Sequence, residues 1–209
     1  MAESKNTSQT PRLTARGAAT RARIVEAAAH LMYVRGVNAT TLDDVRAASG
    51  TSKSQLYQHF ADRDALVRAV VGLLARRILD REEQHLERLN SFSGLQRWRS
   101  VLVQLNSVQN GRYGCALGSL ANEVADHDEE ARAIIAAGFA RWQQLIANGL
   151  RRMQDNSTLK PDADVDYLAT GLIAALQGGY LLTQTTRDMK PMEIALDMAL
   201  SHIEAHLIE

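Results

Sequence analysis

Seven polar side chains crowd the ten residues from Thr51 to Phe60, "TSKSQLYQHF". In a helix, Leu56 and Phe60 stand at i and i+4 and turn inward, which leaves Ser52, Lys53, Ser54, Gln55, Tyr57, Gln58 and His59 toward solvent. These types suit a nucleic acid. Gln can bond an adenine edge through both amide atoms, Ser hydroxyls and a free helix N-terminus bond phosphate, and Lys and Tyr reach the backbone or a thymine methyl. A merely solvated helix face is usually covered by Glu, Lys and Arg, whereas this one is acid-free and carries a tyrosine.

Other residues invite other chemistry. The single cysteine, Cys115, follows Gly114 where a helix begins, a position that can favour a reactive thiolate. His202 and His206 have an i, i+4 ligand-like spacing, and His127 sits among Asp126, Asp128 and Glu129, but two residues do not make a metal site and none is assigned. The "EEQH" at Glu82 to His85 contains one E-x-x-H, and the di-iron bundles that use this motif need a second, which is absent. Gly-rich phosphate loops, G-x-S-x-G and Cys/His zinc spacings are also absent. The chain is expected to be no enzyme and to use no cofactor. A helical protein-binding adaptor is the other class to separate from a DNA binder, and salt dependence separates them, since phosphate contacts weaken steeply with added salt.

The elements that position these residues are helical. Ile24, Ala27, Ala28, Leu31 and Met32 follow one helix face, and Gly36 sits where a C-cap glycine belongs. Thr41 and Asp44 form a capping-box pair for a second helix with Leu42, Val45 and Ala48 as its buried stripe. Gly50 can take a left-handed turn, and Ser52 with Gln55 then caps the third helix. Asp62 caps a long fourth helix. Two short helices joined by about four residues have the spacing of a helix-turn-helix.

Residues 1–16 lack hydrophobic periodicity and read as a flexible arm, with Arg12 and Arg16 able to enter a minor groove. Residues 17–66 form the helix-turn-helix unit, and residues 67–209 hold longer amphipathic helices. Leu95, Trp98, Val101, Leu102 and Leu105 line one; Ala131, Ile134, Ile135, Gly138, Trp142, Leu145 and Ile146 line another. A last helix begins with Pro191 at its first position and buries Met192, Ala195, Leu196, Ala199 and Ile203. No strand-like alternation of useful length occurs, so the fold class is all-α.

Residues 1–66 carry nine Lys/Arg against six Asp/Glu, and the remainder fifteen against eighteen, so a net charge of zero hides a small basic bias at the N-terminal end. At 209 residues the chain can bury about 70% of its unfolded surface without disulfide or metal. One cysteine excludes an intrachain disulfide and suits a reducing cytoplasm. No signal peptide is expected. The uncharged run from Tyr167 to Thr186 holds too many Thr, Gln and Gly residues for a good membrane span and reads as a buried helix.

The run "RARIVEAAAHLMYVRGVNATTLDDVRAASGTSKSQLYQHFADRDAL" resembles, without a gap, the N-terminal domain of the TetR family of bacterial transcriptional regulators. The resemblance implies an N-terminal three-helix DNA-binding domain, a larger C-terminal helical domain for ligand binding and dimerisation, and a homodimer that reads a palindromic operator. It places Thr41, Ser52, Lys53, Tyr57, His59 and Arg63 on the backbone of double-stranded DNA, and Ser54, Gln55 and Gln58 on base edges.

It further implies a repressor released by a small-molecule inducer that tilts the fourth helix, with small residues from Ala169 to Gly179 joining the last helix in the dimer interface. Candidates for the mainly apolar ligand pocket are Trp98, Leu102, Tyr113, Cys115, Phe139, Trp142, Gln143, Leu176 and Tyr180. The "GC" followed by Leu120, Glu123 and Asp126 also resembles a branch of the family in which some members sense electrophiles or oxidants through a thiol, which makes Cys115 the alternative trigger.

Overall fold

A computed structural model describes residues 14–108 and 110–208, which form nine helices, with no named strand among them. The candidate arm residue Arg12 lies outside the described residues. Thr14 caps α1 (Ala15–Arg35), so Arg16 belongs to the first turn of a helix rather than to the arm. α2 (Leu42–Ser49) and α3 (Lys53–His59) follow, then α4 (Arg63–Leu86).

Both short helices start with a complete capping box. Thr41 Oγ1 accepts from the Asp44 amide at 3.1 Å while the Asp44 carboxylate accepts from the Thr41 amide at 3.0 Å. Ser52 and Gln55 repeat the exchange at 3.2 and 2.9 Å. Isolated helices this short are unstable in water; capping satisfies their first amides and burial holds them in place. Ile24, Ala28, Val45, Leu56, Phe60, Leu66 and Val70 share the core that fixes α2 and α3 against α1 and α4. The turn between them closes at Gly50, whose φ of 64° lies in the left-handed region. Ala48, expected to be buried, is exposed in the last turn of α2, so Leu42 and Val45 alone dock that helix.

The larger part comprises α5 (Phe92–Ser107), α6 (Ala116–Val124), α7 (Glu129–Asp155), α8 (Val165–Thr186) and α9 (Lys190–Glu204). α4 runs through both parts and packs on α1 and on α7: Arg77 pairs with Glu26 of α1, and Arg68 with Asp128 at the head of α7. Leu105 is half exposed in the last turn of α5 instead of joining the Leu95, Trp98 and Leu102 face. α9 starts at Lys190, one residue before Pro191, a proline position that the first helical turn tolerates.

α8 and α9 cross with their backbones almost touching. A Cβ on Gly179 would fall 2.9 Å from Met192 Cα, so only glycine fits there. α8 is long and apolar enough to cross a membrane by length and composition, but it buries Leu168, Leu172, Ile173 and Leu176 inside the protein. Its other side is not covered. Tyr167, Leu181 and Leu182 of α8 and Ile194 and Met198 of α9 are exposed, and a groove of about 520 Å³ runs between the two helices.

Candidate nucleic-acid interface and ligand cleft

α3 presents the face that its sequence implies. Leu56 and Phe60 are buried, whereas Ser52, Lys53, Ser54, Gln55, Tyr57 and Gln58 are exposed. The Arg21 guanidinium lies 5.0 Å from the Phe60 ring centre and holds the end of α3 against α1.

The side chains on this face are not equally free. The Gln55 carbonyl oxygen is occupied by the Ser52 amide, and the Thr41 hydroxyl donates to Asp44 Oδ2 at 2.6 Å. Gln58 is exposed and has no side-chain hydrogen bond to the described residues, so both of its amide atoms are free. His59 is partly buried, with Nδ1 turned inward and unpartnered. Arg63 donates through Nη2 to the Val37 carbonyl, which ties the start of α4 to the α1–α2 loop.

That loop is also held from the larger domain. Glu123, near the end of α6, accepts from the Asn38 amide at 3.1 Å. Ahead of α6, the Tyr113 ring rests on Tyr33 of α1 with centres 5.0 Å apart. Arg112 covers the Tyr113 ring at 5.5 Å. α6 and its lead-in therefore hold α1 at one point and the α1–α2 loop at another. A third tie runs from Arg68 of α4 to Asp128 at 2.9 Å, and Asp128 caps α7.

Between these two grips, α6 forms one wall of a cleft of about 330 Å³; α7 and α8 form the others. Of the nine pocket candidates, the cleft brings together Cys115, Phe139 and Tyr180. The other six lie elsewhere. Trp98, Leu102, Trp142 and Leu176 are core residues, Tyr113 stacks on α1, and Gln143 is part-buried on α7 outside the cleft lining. Trp98 is engaged by Glu82, which is fully buried: one carboxylate oxygen accepts from Trp98 Nε1 at 2.8 Å and the other from Arg81 Nη2 at 2.7 Å. His85 is exposed while Glu82 points into the core, so the "EEQH" residues do not converge on one site.

Burial raises the Cys115 thiol above its ordinary pKa, and the neighbouring Gly118, Leu117, Gln177 and Arg81 groups oppose that rise without cancelling it. The thiol is therefore held protonated at neutral pH. Burial likewise raises the Tyr180 phenol, whose oxygen accepts from Asn106 Nδ2 at 3.3 Å. No group of three or more metal-ligating side chains forms among the described residues.

The polar part of the cleft was missed in the sequence. Ser119 and Asn122 on α6, and Gln177 and Gln184 on α8, line it together with Ala121, Gly118, Gly178 and Leu181. The signal was Gln177, the one polar residue in "LIAALQGGYLL" before its tyrosine.

The family model described as bacterial regulatory proteins, tetR family, matches residues 24–70, and that described as tetracyclin repressor-like, C-terminal domain, matches residues 86–199. The chain is 26% identical over 193 residues to an HTH-type transcriptional regulator in the lacX 3′ region of Lactococcus lactis subsp. lactis, covering 88% of this chain and 93% of the other. It is 22% identical over 173 residues to the HTH-type transcriptional repressor DhaR of Mycobacterium sp. (strain GP1), covering 83% and 86%. A TetR-family transcriptional regulator from Cytophaga hutchinsonii has the same fold, with a TM-score of 0.81 at 18% identity over 95% of this chain and 100% of that one. The class is one of regulators and not of enzymes. With a helix-turn-helix that exposes an acid-free polar face and with both halves of the chain matched, the protein belongs to the TetR family of bacterial transcriptional regulators.

Proposed function

We propose that the protein is a cytoplasmic, homodimeric repressor that binds a palindromic operator and releases it when a small molecule enters the α6–α7–α8 cleft. The observation that carries this reading is the double role of α6. Its inner face lines the cleft, its lead-in rests on α1 through Tyr113–Tyr33, and its C-terminal end holds the α1–α2 loop through Glu123–Asn38. A ligand that displaces α6 moves α1 and that loop, and with them α4, which packs on α1. The two recognition helices of a dimer must enter major grooves about one helical turn apart, so a small change in their separation breaks operator binding.

Within the DNA interface, Gln58 reads a base edge with both amide atoms. Gln55 contributes its free amide nitrogen, and Ser54 a hydroxyl. Thr41, Ser52, Lys53, Tyr57, His59 and Arg63 serve the phosphate backbone; Arg63 and His59 do so only by leaving their contacts inside the domain. The exposed apolar side of α8 and α9 is the dimer interface, and the groove between them takes the partner's side chains. Sensing through Cys115 is the weaker reading, because a buried, protonated thiol reacts slowly.

Fluorescence anisotropy on the DNA upstream of the protein's own gene, compared with a random duplex across a salt titration, tests the reading. Tight, salt-steep and sequence-selective binding is expected. Equal, weak binding to both duplexes at low salt would overturn it.

A further inference from the structure

The lining of the α6–α7–α8 cleft includes no Lys, Arg, His, Asp or Glu among the described residues. Its two titratable groups, the Cys115 thiol and the Tyr180 phenol, are both held neutral by burial. The nearest charges behind it, Arg81 and Glu82, are spent on each other through two hydrogen bonds at 2.9 and 2.7 Å. An ionic ligand would lose its hydration here without meeting an opposite charge. The Gln177 amide nitrogen is buried with no oxygen or nitrogen acceptor in reach; its one polar neighbour is the Cys115 sulfur, a weak acceptor. Gln177 Oε1 packs over Gly118, where an added Cβ would meet it at 2.6 Å, so the side chain is wedged against α6.

We infer that the cleft takes an uncharged, mainly apolar molecule carrying a hydrogen-bond acceptor, such as a carbonyl oxygen, and that Gln177 Nε2 donates to that acceptor. This rests on the reading of the cleft as the inducer site and adds the class of molecule and the residue that anchors it. Phe139, Ala121 and Leu181 give the cleft apolar walls, and about 330 Å³ lies at the small end of the range for ligand sites. The Gln177 donor has only the weakly accepting Cys115 sulfur beside it, so a ligand's acceptor oxygen serves it better and discriminates against an isostere that lacks one.

Three probes of one size test this by calorimetry on the full chain without DNA: 2-acetylnaphthalene, 2-isopropylnaphthalene and 2-naphthoate. The ketone should bind about tenfold more tightly than the hydrocarbon, and the carboxylate should bind least. Gln177→Leu should abolish the difference between ketone and hydrocarbon, both still binding, with circular dichroism reporting an unchanged helical content. Equal binding of ketone and hydrocarbon, preference for the carboxylate, a Gln177→Leu variant that keeps the ketone preference, or no binding by any probe would each overturn the inference. Operator release is read separately by anisotropy. A ketone that shows the expected ranking yet leaves operator affinity untouched would sink the repressor mechanism and uphold the ligand class.

Discussion

Glu123 Oε2 accepts a hydrogen bond from the Asn38 backbone amide at 3.1 Å, and so joins residues 85 positions apart across the two halves of the molecule. The same carboxylate lies over Gly36, where an added Cβ would stand 3.2 Å from Oε2, and Gly36 itself has a φ of 90°. Removing the carboxylate with Glu123→Ala should cost about 1 kcal/mol of stability and speed hydrogen exchange at the Asn38 amide, whereas Glu123→Gln should keep most of the protection. Gly36→Ala should cost roughly 1–2 kcal/mol from its backbone conformation alone. Urea denaturation and exchange mass spectrometry on peptides spanning 36–40 check both.

On α3, Gln58 and Lys53 should fail in different ways. Gln58→Ala should cost about 1–3 kcal/mol on the operator and relax preference at one base position. Lys53→Ala should weaken all sequences alike and reduce the steepness of the salt dependence by about one phosphate contact. Anisotropy on operator variants at several salt concentrations separates the two.

The buried Glu82 should be costly to orphan and costly to remove. Trp98→Phe leaves Glu82 Oε2 without its indole donor and should destabilise the fold by about 1–3 kcal/mol. Glu82→Ala leaves the buried Trp98 Nε1 without its acceptor and opens a cavity beside the ring, whereas the part-exposed Arg81 can turn to water, so it should lose about 1–3 kcal/mol. Shifts in the urea midpoint at constant slope would report these values.

If α8 and α9 form the proposed dimer interface, a charge on their bare side should keep the chain monomeric. Met198 is 70% exposed and Leu181 55%, yet both lie on an apolar surface. Met198→Glu should yield a folded monomer by sedimentation velocity, with operator affinity lost and helical content unchanged. A Met198→Glu variant that stays dimeric would move the interface elsewhere.

Cys115 should behave as a buried thiol. Its raised pKa lowers the thiolate fraction at neutral pH below that of free cysteine, so labelling by Ellman's reagent should be slow when folded and quicken as pH rises or urea unfolds the chain. Cys115→Ser should keep operator affinity within about twofold, the scatter expected away from the interface. Fast labelling of the folded protein at pH 7 would revive the thiol as a trigger.

The parts legible in the sequence are those whose partners lie a few residues away. Thr41 with Asp44, Ser52 with Gln55 and the Leu56–Phe60 pair are all spaced at i+3 or i+4, so local pattern reveals both the caps and the face they leave open. The cleft is different in kind. Which of Trp98, Trp142, Phe139 and Tyr180 faces a void depends on how α6 and α8 approach α7, and periodicity reports only that each is on an inner face. Ala48 and Leu105 show the same limit at helix ends, where a stripe that continues in sequence runs past the surface that would bury it. Glu123 could not be assigned either, because its partner is a backbone amide 85 residues away.

The contacts at Tyr33 and at the α1–α2 loop also set rules for building hybrids. A DNA-reading head from one relative can be joined to the sensing body of another by cutting the chain near the start of α4, but the seam in space is not the seam in sequence. The graft must carry a ring at position 33 to meet Tyr113, and an open amide beside a glycine at 36–38 to receive Glu123. On the proposed mechanism, a hybrid that ignores these positions would lose the link between the cleft and α3 even where its DNA-reading face is intact.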